Sequence, residues 1–291
     1  MLEQPGVSIV IPTHRRAQIL RSCLEHLSNQ TIREELEVIV VSDGPDKETA
    51  EMLRSRTWAM PVDYLEIPKS QQGTARNRGV EKARREVCMF INDDIFLDRA
   101  ACEEHQLAHA ALQYTNEIDV AVLGQTVWDP ALEQTPVMRW LDETGWQFGY
   151  KMLAEYEEDF VSQEVQHRFV YASHLSVPTS IAKRVPFRED VSLYGWEDIE
   201  WGLRLKERGV RLFYAPTAKA VHHHALTLDD SLRRMETLGR SARVFSQLHP
   251  DFDRLPKGWK YAAYQVLGLL PTMRGKHARA FVRGLKEESQ G

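Results

Sequence analysis

Two adjacent carboxylates, Asp93 and Asp94, follow Asn92 and an apolar run at residues 86–91. Like charges held side by side raise each other's pKa unless a positive group compensates for them. A divalent cation such as Mg²⁺ or Mn²⁺ suits this role, because it prefers carboxylate and phosphate oxygens. An Asx turn leading into a helix near residue 99 would explain the same residues without a metal. The spacing alone leaves both interpretations open.

Three consecutive histidines, His222, His223 and His224, end an extended segment. In a strand, His222 and His224 share one face, whereas His223 faces the other side. Imidazole can complete a metal shell that already has carboxylate and phosphate oxygens. A histidine cluster on the surface, with no ligand, is the alternative. A zinc site of cysteine and histidine is not expected, because none of the cysteines has the required spacing.

The segment GTARNRG at residues 73–79 opens a predicted helix with a glycine and two arginines, Arg76 and Arg78. Helix N-termini attract anions, and the arginine guanidinium suits a diphosphate. The glycine spacing matches neither the P-loop nor the dinucleotide-binding fingerprint. For this motif alone, a capped surface helix is therefore the favoured interpretation.

The segment WEDIE begins a predicted helix at residues 196–208, with Glu197 and Asp198 in its first turn and Gly209 after its end. Acids in the first turn and bases in the last are favoured by the helix dipole even without a function. Two tryptophans bracket the acids, and aromatic residues are frequent between positions 125 and 195. These aromatic rings favour a site that stacks on sugars.

The chain has 291 residues, of which 43% are hydrophobic and 27% charged, and its formal net charge is −5. This is the composition of a globular protein, and it argues against a nucleic-acid partner, which normally selects a basic surface. Three cysteines are too few for a disulfide framework and favour a reducing compartment. The N-terminus lacks signal-peptide features, and no apolar stretch approaches the roughly 20 residues of a spanning helix. We expect a cytoplasmic protein.

Strand and helix patterns alternate in the first third of the chain. Short apolar runs predict strands at residues 7–11, 37–41, 62–67 and 86–91, with helical patterns between them. Such βαβ crossovers imply a parallel sheet with both faces covered, and ligands collect at the carboxyl ends of its strands. Polar residues follow three of the strands: Pro12-Thr13-His14, Ser42-Asp43 and Asn92-Asp93-Asp94.

The last part of the chain is predicted to be helical, at residues 227–248 and 256–286. Basic residues flank or punctuate the apolar segment at residues 261–270, which is too short to span a bilayer. A helix of this kind suits peripheral contact with an anionic membrane surface. A helix packed on the rest of the protein is the alternative.

Taken together, these segments resemble glycosyltransferase family 2, over roughly residues 5–225. The resemblance is carried by VSIVIPTHRR, VIVVSDGPDKET, GTARNRG, VCMFINDDI, YGWEDIEWGLRLKERG and PTAKAVHHH, in the order the family has them. It implies the α/β GT-A fold, a Rossmann-like and mainly parallel sheet flanked by helices. The catalytic domain would cover residues 1–225, with a nucleotide-sugar half at about 1–124 and an acceptor half at about 125–225. Residues 226–291 would form a C-terminal helical extension.

The resemblance also implies roles for individual residues. Asp94 would be the principal ligand of Mn²⁺ or Mg²⁺, with His222 or His224 as a further metal contact. Asp198 would be the general base, and Glu197 its acceptor-binding neighbour. The first position of the family's DxD motif is Asn92 here, so that contact is neutral and the assignment within the triplet stays open. Contacts with the donor would come from Pro12, Thr13, Asp43, Arg76, Asn92 and Asp93.

The activity implied by the resemblance is metal-dependent transfer of a sugar, with inversion, in glycan, polysaccharide or glycoconjugate synthesis. The donor would be a nucleotide diphosphate sugar, with UDP as the default base, and the acceptor a glycan, a lipid-linked sugar or another hydroxyl. A nucleotidyltransferase is the alternative enzyme, but it usually has a glycine-rich loop after strand one, where this chain has Pro12-Thr13-His14. A non-catalytic nucleotide-sugar-binding protein is a further alternative, and it predicts loss of Asp94 and Asp198, which are both present.

Overall fold

The computed structural model describes residues 4–116, 118–250, 252 and 256–287. Two compact units make up the chain. The first unit comprises residues 1–132, 150–189 and 201–224, and the second comprises residues 133–149, 190–200 and 225–291. The strands of the described residues are β1 Val7–Thr13, β2 Leu36–Asp43, β3 Val62–Ile67, β4 Val87–Ile91, β5 Ile95–Leu97, β6 Val120–Trp128, β7 Asp159–Phe160, β8 His174–Pro178 and β9 Arg211–His222.

Helices connect these strands and form the end of the chain. Short 3₁₀ turns add Arg33–Glu35, Ala154–Tyr156 and Gln166–Phe169. The α-helices of the described residues are α1 Ala17–Ser28, α2 Lys47–Arg54, α3 Gln72–Lys82, α4 Ala101–Asn116, α5 Pro136–Thr144, α6 Tyr150–Leu153, α7 Thr179–Arg184, α8 Glu197–Glu207, α9 Leu228–Leu248, α10 Trp259–Leu267 and α11 Met273–Lys286.

The first four strands form a parallel block in the order β3-β2-β1-β4. Successive side chains of a strand point to opposite faces, and here both faces are covered. Val10 and Phe90 therefore contribute to one apolar core, whereas Ile9 and Met89 contribute to the core on the other face. Gly79 lets α3 approach this block closely, because a Cβ there would lie 2.3 Å from a methyl group of Val10.

The second half of the sheet is where antiparallel pairs enter. β8 runs antiparallel between β4 and β6, and β9 pairs in parallel with β6. β5 and β7 each pair antiparallel with β9. Within the described residues, the path through the sheet is β3-β2-β1-β4-β8-β6-β9-β5, with β7 beside β9. The α/β fold class with a helical C-terminal region is confirmed, and the sheet is mixed beyond its parallel block.

The second unit is built largely from α9, α10 and α11. Glycines allow α9 and α11 to cross at short distance, since a Cβ at Gly284 would overlap the backbone oxygen of Glu236. A buried hydrogen bond of 2.8 Å joins Ser231 Oγ to His277 Nε2. The helical pattern at residues 256–286 is divided into α10 and α11, because the chain turns after Gly268 and Thr272 caps α11. None of the helices in the described part of the chain has both the length and the apolar character needed to cross a bilayer.

Candidate active site

The parallel block brings the predicted polar residues to one edge of the sheet. β1 lies between β2 and β4, and Pro12 and Thr13 are paired with Val41 and Ser42 at the end of β1. Carboxyl ends of parallel strands meet at the same edge. The Thr13 hydroxyl donates a 2.7 Å hydrogen bond to Asp93 Oδ2 across 80 residues of sequence. The strand-end prediction thus places Thr13 and Asp93 in direct contact.

Asp94 lies beside two of the three consecutive histidines. β5 pairs with β9 so that Ile95 faces His222, and the His223 amide donates to the Asp94 carbonyl oxygen at 2.8 Å. This register places His222 Nε2 3.6 Å and His224 Nδ1 3.4 Å from Asp94 Oδ2. One ligand atom from each of the three residues lies within 4.8 Å of the others.

His223, just past the end of β9 at His222, points away from this group, as the alternation of an extended chain predicts. Its Nδ1 lies 2.6 Å from Asp129 Oδ2, and its ring stacks on Phe96 with a centroid distance of 5.0 Å. Trp128 stacks on His222 with centroids 5.0 Å apart and planes 11° apart. These contacts orient the imidazole rings, so that His222 faces Asp94 and His223 does not.

Arg16, which the sequence did not single out, bridges both acids. Its guanidinium donates to Asp93 Oδ1 at 2.7 Å and to Asp94 Oδ2 at 2.9 Å. Arg15 before it has a φ of 53°, a conformation that few residues other than glycine adopt. Its amide donates to Asp46 at 2.9 Å, which holds the turn that aims Arg16 at the acids. In this structure, the positive charge that two neighbouring carboxylates need is supplied by Arg16.

The two acids differ in their titration although they are neighbours. Burial raises the pKa of Asp93 to about 6; Arg16 opposes this effect, and the nearby charge of Asp94 adds to it. Burial also favours the neutral form of Asp94, but His222, His224 and Arg16 outweigh it and hold the Asp94 pKa well below its usual range. Asp94 is therefore the more acidic of the two carboxyls, and it keeps the negative charge that a metal ligand needs as the pH falls.

The residues around Asp94 fit a divalent cation. Asp94 is 5% exposed, and among the described residues its Oδ1 is a buried oxygen without a hydrogen-bond partner. A carboxylate with two imidazoles, open to phosphate or water oxygens, is a donor set that Mn²⁺ accepts well and Mg²⁺ accepts when oxygens complete the shell. His224 is more exposed than His222, so the group can be reached from solvent.

Asp43 and Arg76, two predicted donor contacts, are held by other residues of the first unit. Asp43 accepts hydrogen bonds from Lys69 Nζ at 2.6 Å and from the Ser70 amide at 2.6 Å. Burial favours the neutral carboxyl, but these donors outweigh it and lower the Asp43 pKa. Arg76 is 2% exposed and donates to Asn92 Oδ1 at 3.0 Å. The structure therefore joins Arg76 to the first residue of the triplet.

Glu197 and Asp198 belong to the second unit, where they form the first turn of α8 and are half-buried. Gly195 before them has a φ of +75°, and a Cβ there would lie 2.2 Å from Leu238. Both constraints require a glycine at this position. Trp196 donates from its indole to the Leu238 carbonyl at 3.0 Å. The turn that presents the two acids is therefore tied to α9.

The tryptophans that bracket these acids have structural contacts, contrary to the expectation that they favour a sugar site. Trp196 stacks on Phe245 with centroids 5.0 Å apart, and Trp201 is completely buried. The Trp201 indole donates to the Val185 carbonyl at 2.6 Å, and its ring stacks on Phe187. Trp201 is thus a core residue, whereas Trp196 is half-buried against α9.

Sequence reasoning missed Arg16, Lys69 and Trp128 as neighbours of the site. Arg16 had a usable signal, since a basic residue three positions after the end of β1 is in reach of acids at the end of β4. Lys69 and Trp128 had none, because their contacts depend on how β3 and β6 are placed in the sheet.

Comparisons with known proteins agree with this architecture. The family model described as glycosyl transferase family 2 matches residues 8–167. Validoxylamine A glucosyltransferase of Streptomyces hygroscopicus subsp. jinggangensis is 27% identical over 222 residues, which cover 71% of this chain and 52% of that protein. Pre-mycofactocin glycosyltransferase of Mycobacterium tuberculosis (strain H37Rv) is 26% identical over 255 residues, covering 84% of this chain and 48% of that protein. The chain thus spans about half the length of these two relatives.

Two solved structures have a similar fold. A mannosyltransferase from Pyrobaculum calidifontis, in complex with GDP-Man and Mn²⁺, has a TM-score of 0.60 at 17% identity and covers 96% of this chain and 74% of its own. Residues 1–349 of S. aureus TarS, in complex with UDP-GlcNAc, have a TM-score of 0.55 at 13% identity and cover 96% of this chain and 90% of their own. At these identities the likeness concerns the fold.

Proposed function

Since the chain belongs to glycosyl transferase family 2, we propose that it transfers a sugar from a nucleotide diphosphate donor to an acceptor hydroxyl with the help of a divalent cation. The observation that carries the proposal is the group of Asp94, His222 and His224 at the polar edge of the sheet. The group combines an anionic carboxylate, imidazoles and a buried carboxylate oxygen free to bind.

Asp94, His222 and His224 would hold Mn²⁺ or Mg²⁺. A cation bound there would neutralise the charge that develops on the leaving diphosphate. Arg16 keeps the pair of acids compensated in the metal-free protein, and its half-exposed guanidinium can turn towards phosphate oxygens. Asp93, fixed by Thr13 and Arg16, would contact the ribose or the sugar.

The donor would lie along the ends of β1, β2 and β4. Pro12, Thr13 and Asp43 would contact the nucleotide base, and the fixed position of Asp43 between Lys69 and Ser70 suits a directional hydrogen bond. Arg76 and Asn92, already joined by a 3.0 Å hydrogen bond, would contact the donor as a unit. We propose a UDP-sugar as donor, and the neighbour complexes with GDP-Man and UDP-GlcNAc support a hexosyl group on either nucleotide.

Asp198 would be the general base, and Glu197 would bind the acceptor. Both acids lie in the first turn of α8, where the helix dipole favours their ionised forms. An ionised carboxylate within about 2.6–3.2 Å of the acceptor hydroxyl can take its proton during in-line attack on the anomeric carbon. That reaction inverts the configuration. Acceptors of the proposed reaction are glycans, lipid-linked sugars or other hydroxyl compounds, in polysaccharide or glycoconjugate synthesis.

A pair of isosteric variants tests this proposal. Asp198→Asn should keep donor affinity and lower turnover by a factor on the order of 10²–10⁴, the usual contribution of general-base catalysis. Glu197→Gln is the matched control on the same turn and should raise the KM for acceptor more than it lowers turnover. The assay is release of nucleoside diphosphate from a panel of nucleotide sugars, with and without acceptor.

Each outcome of that assay separates the proposal from its alternatives. A nucleotidyltransferase would release pyrophosphate from a nucleoside triphosphate, and a pure binding protein would release nothing from any donor. Near-normal turnover of Asp198→Asn with intact donor binding would reject Asp198 as the base.

A further inference from the structure

Helix α10 and the turn after it present apolar side chains to solvent. No residue of α10 is buried. Trp259 is 76% exposed, Val266 66%, Leu269 77% and Leu270 48%. Positions 259, 263 and 266 share one face of α10, with an alanine at 263, and Leu269 and Leu270 lie in the turn after the helix. We call Trp259, Val266, Leu269 and Leu270 the apolar ridge. Exposed large apolar side chains grouped in one short segment often mark an interaction site.

The ridge faces outwards because the other side of α10 is fixed to α11. Tyr264 contacts Phe281 with ring centroids 6.1 Å apart, and Arg279 Nε donates to the Gly268 carbonyl at 2.6 Å. A Cβ at Gly275 would lie 2.3 Å from the Leu270 carbonyl oxygen, so the turn sits directly on the start of α11. The exposure of the ridge therefore follows from packing within the second unit and is not the fraying of a helix end.

The segment that carries the ridge is basic. Residues 256–286 include seven lysines and arginines and no acidic residue, whereas the net charge of the whole chain is −5. Lys257 precedes the ridge, and Arg274 and Lys276 follow it, all three exposed. Arg283 pairs with Glu236 of α9, so the basic residues next to the ridge in sequence are the ones that the proposal uses.

We propose that the apolar ridge and the basic residues beside it bind the surface of an anionic lipid bilayer. Trp259 and the three aliphatic side chains would enter the boundary between headgroups and acyl chains, as interfacial helices do. The lysines and arginines would contact lipid phosphates, which attract basic segments next to a membrane. A second copy of the chain fits less well, because pairing this surface with itself would bring two sets of like charges together.

Vesicle sedimentation of the full chain tests the proposal, without donor or acceptor, so the result does not depend on the proposed transferase activity. Vesicles of phosphatidylcholine mixed with phosphatidylglycerol should sediment the protein, and vesicles of phosphatidylcholine alone should do so much less. Binding should fall as sodium chloride is added, because salt screens the attraction between charges.

Matched double variants distinguish vesicle binding by the apolar ridge from vesicle binding by any exposed apolar residues. Leu269→Ser with Leu270→Ser should weaken binding to anionic vesicles by about tenfold or more, since two leucines no longer leave water. Leu107→Ser with Met152→Ser replaces two exposed apolar residues of the first unit and should leave binding unchanged. Thermal unfolding of both variants checks that they are folded.

Several results would overturn the proposal. They are equal binding to neutral and anionic vesicles, equal loss in the two double variants, or no sedimentation with either vesicle. Dimer formation without vesicles that is lost in Leu269→Ser with Leu270→Ser would identify a second copy as the occupant of the ridge. That outcome would also reject the membrane.

Discussion

The first unit contains two groups of histidines that differ in their neighbours and in access to solvent. His222 and His224 lie beside the anionic Asp94 at the edge of the sheet. His105, His109 and His174 lie inside the protein and are each 0% exposed. Both groups bring imidazoles close together, but among the residues that the structure describes a carboxylate belongs to the first group alone.

The inner group is held by hydroxyls. His105 Nδ1 and His109 Nε2 lie 2.7 and 2.8 Å from the same atom, Ser176 Oγ. His174 Nδ1 lies 3.1 Å from Thr126 Oγ1, and its ring fills the space above Gly124, where a Cβ would overlap it. These imidazoles connect α4 to β8 and β8 to β6 inside the protein.

Burial also determines the charge of the inner group. Burial lowers the pKa of His109 to about 4 and that of His174 to about 3, so the inner imidazoles stay neutral. Burial also lowers the pKa of His105 well below its ordinary value, and the neighbouring histidines add to the effect. We expect that a carboxylate, more than the number of imidazoles, decides where a cation binds. The predictions for Asp94 and for the three consecutive histidines test that expectation, and the prediction for His109 tests the neutrality of the inner group.

The largest expected effect is on Asp94. Asp94→Asn keeps the size of the side chain and removes its charge, so Mn²⁺ affinity should fall by at least about 100-fold, the upper range for loss of a supporting group around a metal. Calorimetric titration with Mn²⁺ measures this change. His174→Gln, in the inner group, should leave Mn²⁺ affinity unchanged. An equal loss in both variants would contradict the comparison.

The three consecutive histidines give a smaller and more selective effect. His222→Ala and His224→Ala should each weaken Mn²⁺ binding by about tenfold. A water molecule can take the place of the missing imidazole nitrogen, but the protein does not hold that water in a fixed position. His223→Ala is the matched control on the opposite face, where the imidazole contacts Asp129, and should leave Mn²⁺ affinity unchanged. A loss in His224→Ala alone would assign the metal contact to His224. If His223→Ala weakened Mn²⁺ binding as much as His222→Ala and His224→Ala do, the assignment of His222 and His224 to one face and of His223 to the other would be wrong.

The smallest effect concerns the inner group and pH. The pKa of His109 falls from its ordinary value of 6.5 to about 4 in the folded protein. Between these values the unfolded chain binds a proton that the folded protein does not, so the free energy of unfolding decreases as the pH falls. One histidine contributes a slope of about 1.4 kcal/mol per pH unit in this range.

Replacing His109 should remove that contribution. His109→Gln keeps a group that can hydrogen-bond Ser176, and its unfolding free energy should fall less steeply with decreasing pH, by about 1.4 kcal/mol per pH unit. Urea unfolding at several pH values measures both slopes. Above the ordinary pKa the slopes of variant and wild type should coincide. Identical slopes below it would show that His109 is protonated in the folded core.

The sequence predicted the parallel block and its polar edge well. The strand at Val62–Ile67 has the predicted bounds, and Thr13, Asp93 and Asp94 meet as the strand-end rule required. This part was accessible because parallel strands are buried on both faces and therefore appear as continuous apolar runs. The alternation that joins His222 and His224 was accessible for a similar reason, since it depends on a period of two.

Other features could not be predicted, because they depend on contacts distant in sequence. The insertion of β8 between β4 and β6 brings His174 towards His105, and no local pattern indicates it. The ion pairs of Arg16 depend on a left-handed turn at Arg15. The tryptophans beside Glu197 and Asp198 favoured a sugar site in the sequence, but Trp201 packs in the core and Trp196 packs against α9.

The central claim is that the group of Asp94, His222 and His224 holds a cation that helps to bind the donor diphosphate. Calorimetric titration of the wild-type protein with UDP, in Mn²⁺ and in EDTA, tests it most directly. We predict that UDP binds at least about tenfold more tightly in Mn²⁺, because the cation links the carboxylate to the phosphate oxygens. Equal affinities for UDP in Mn²⁺ and in EDTA would contradict the claim.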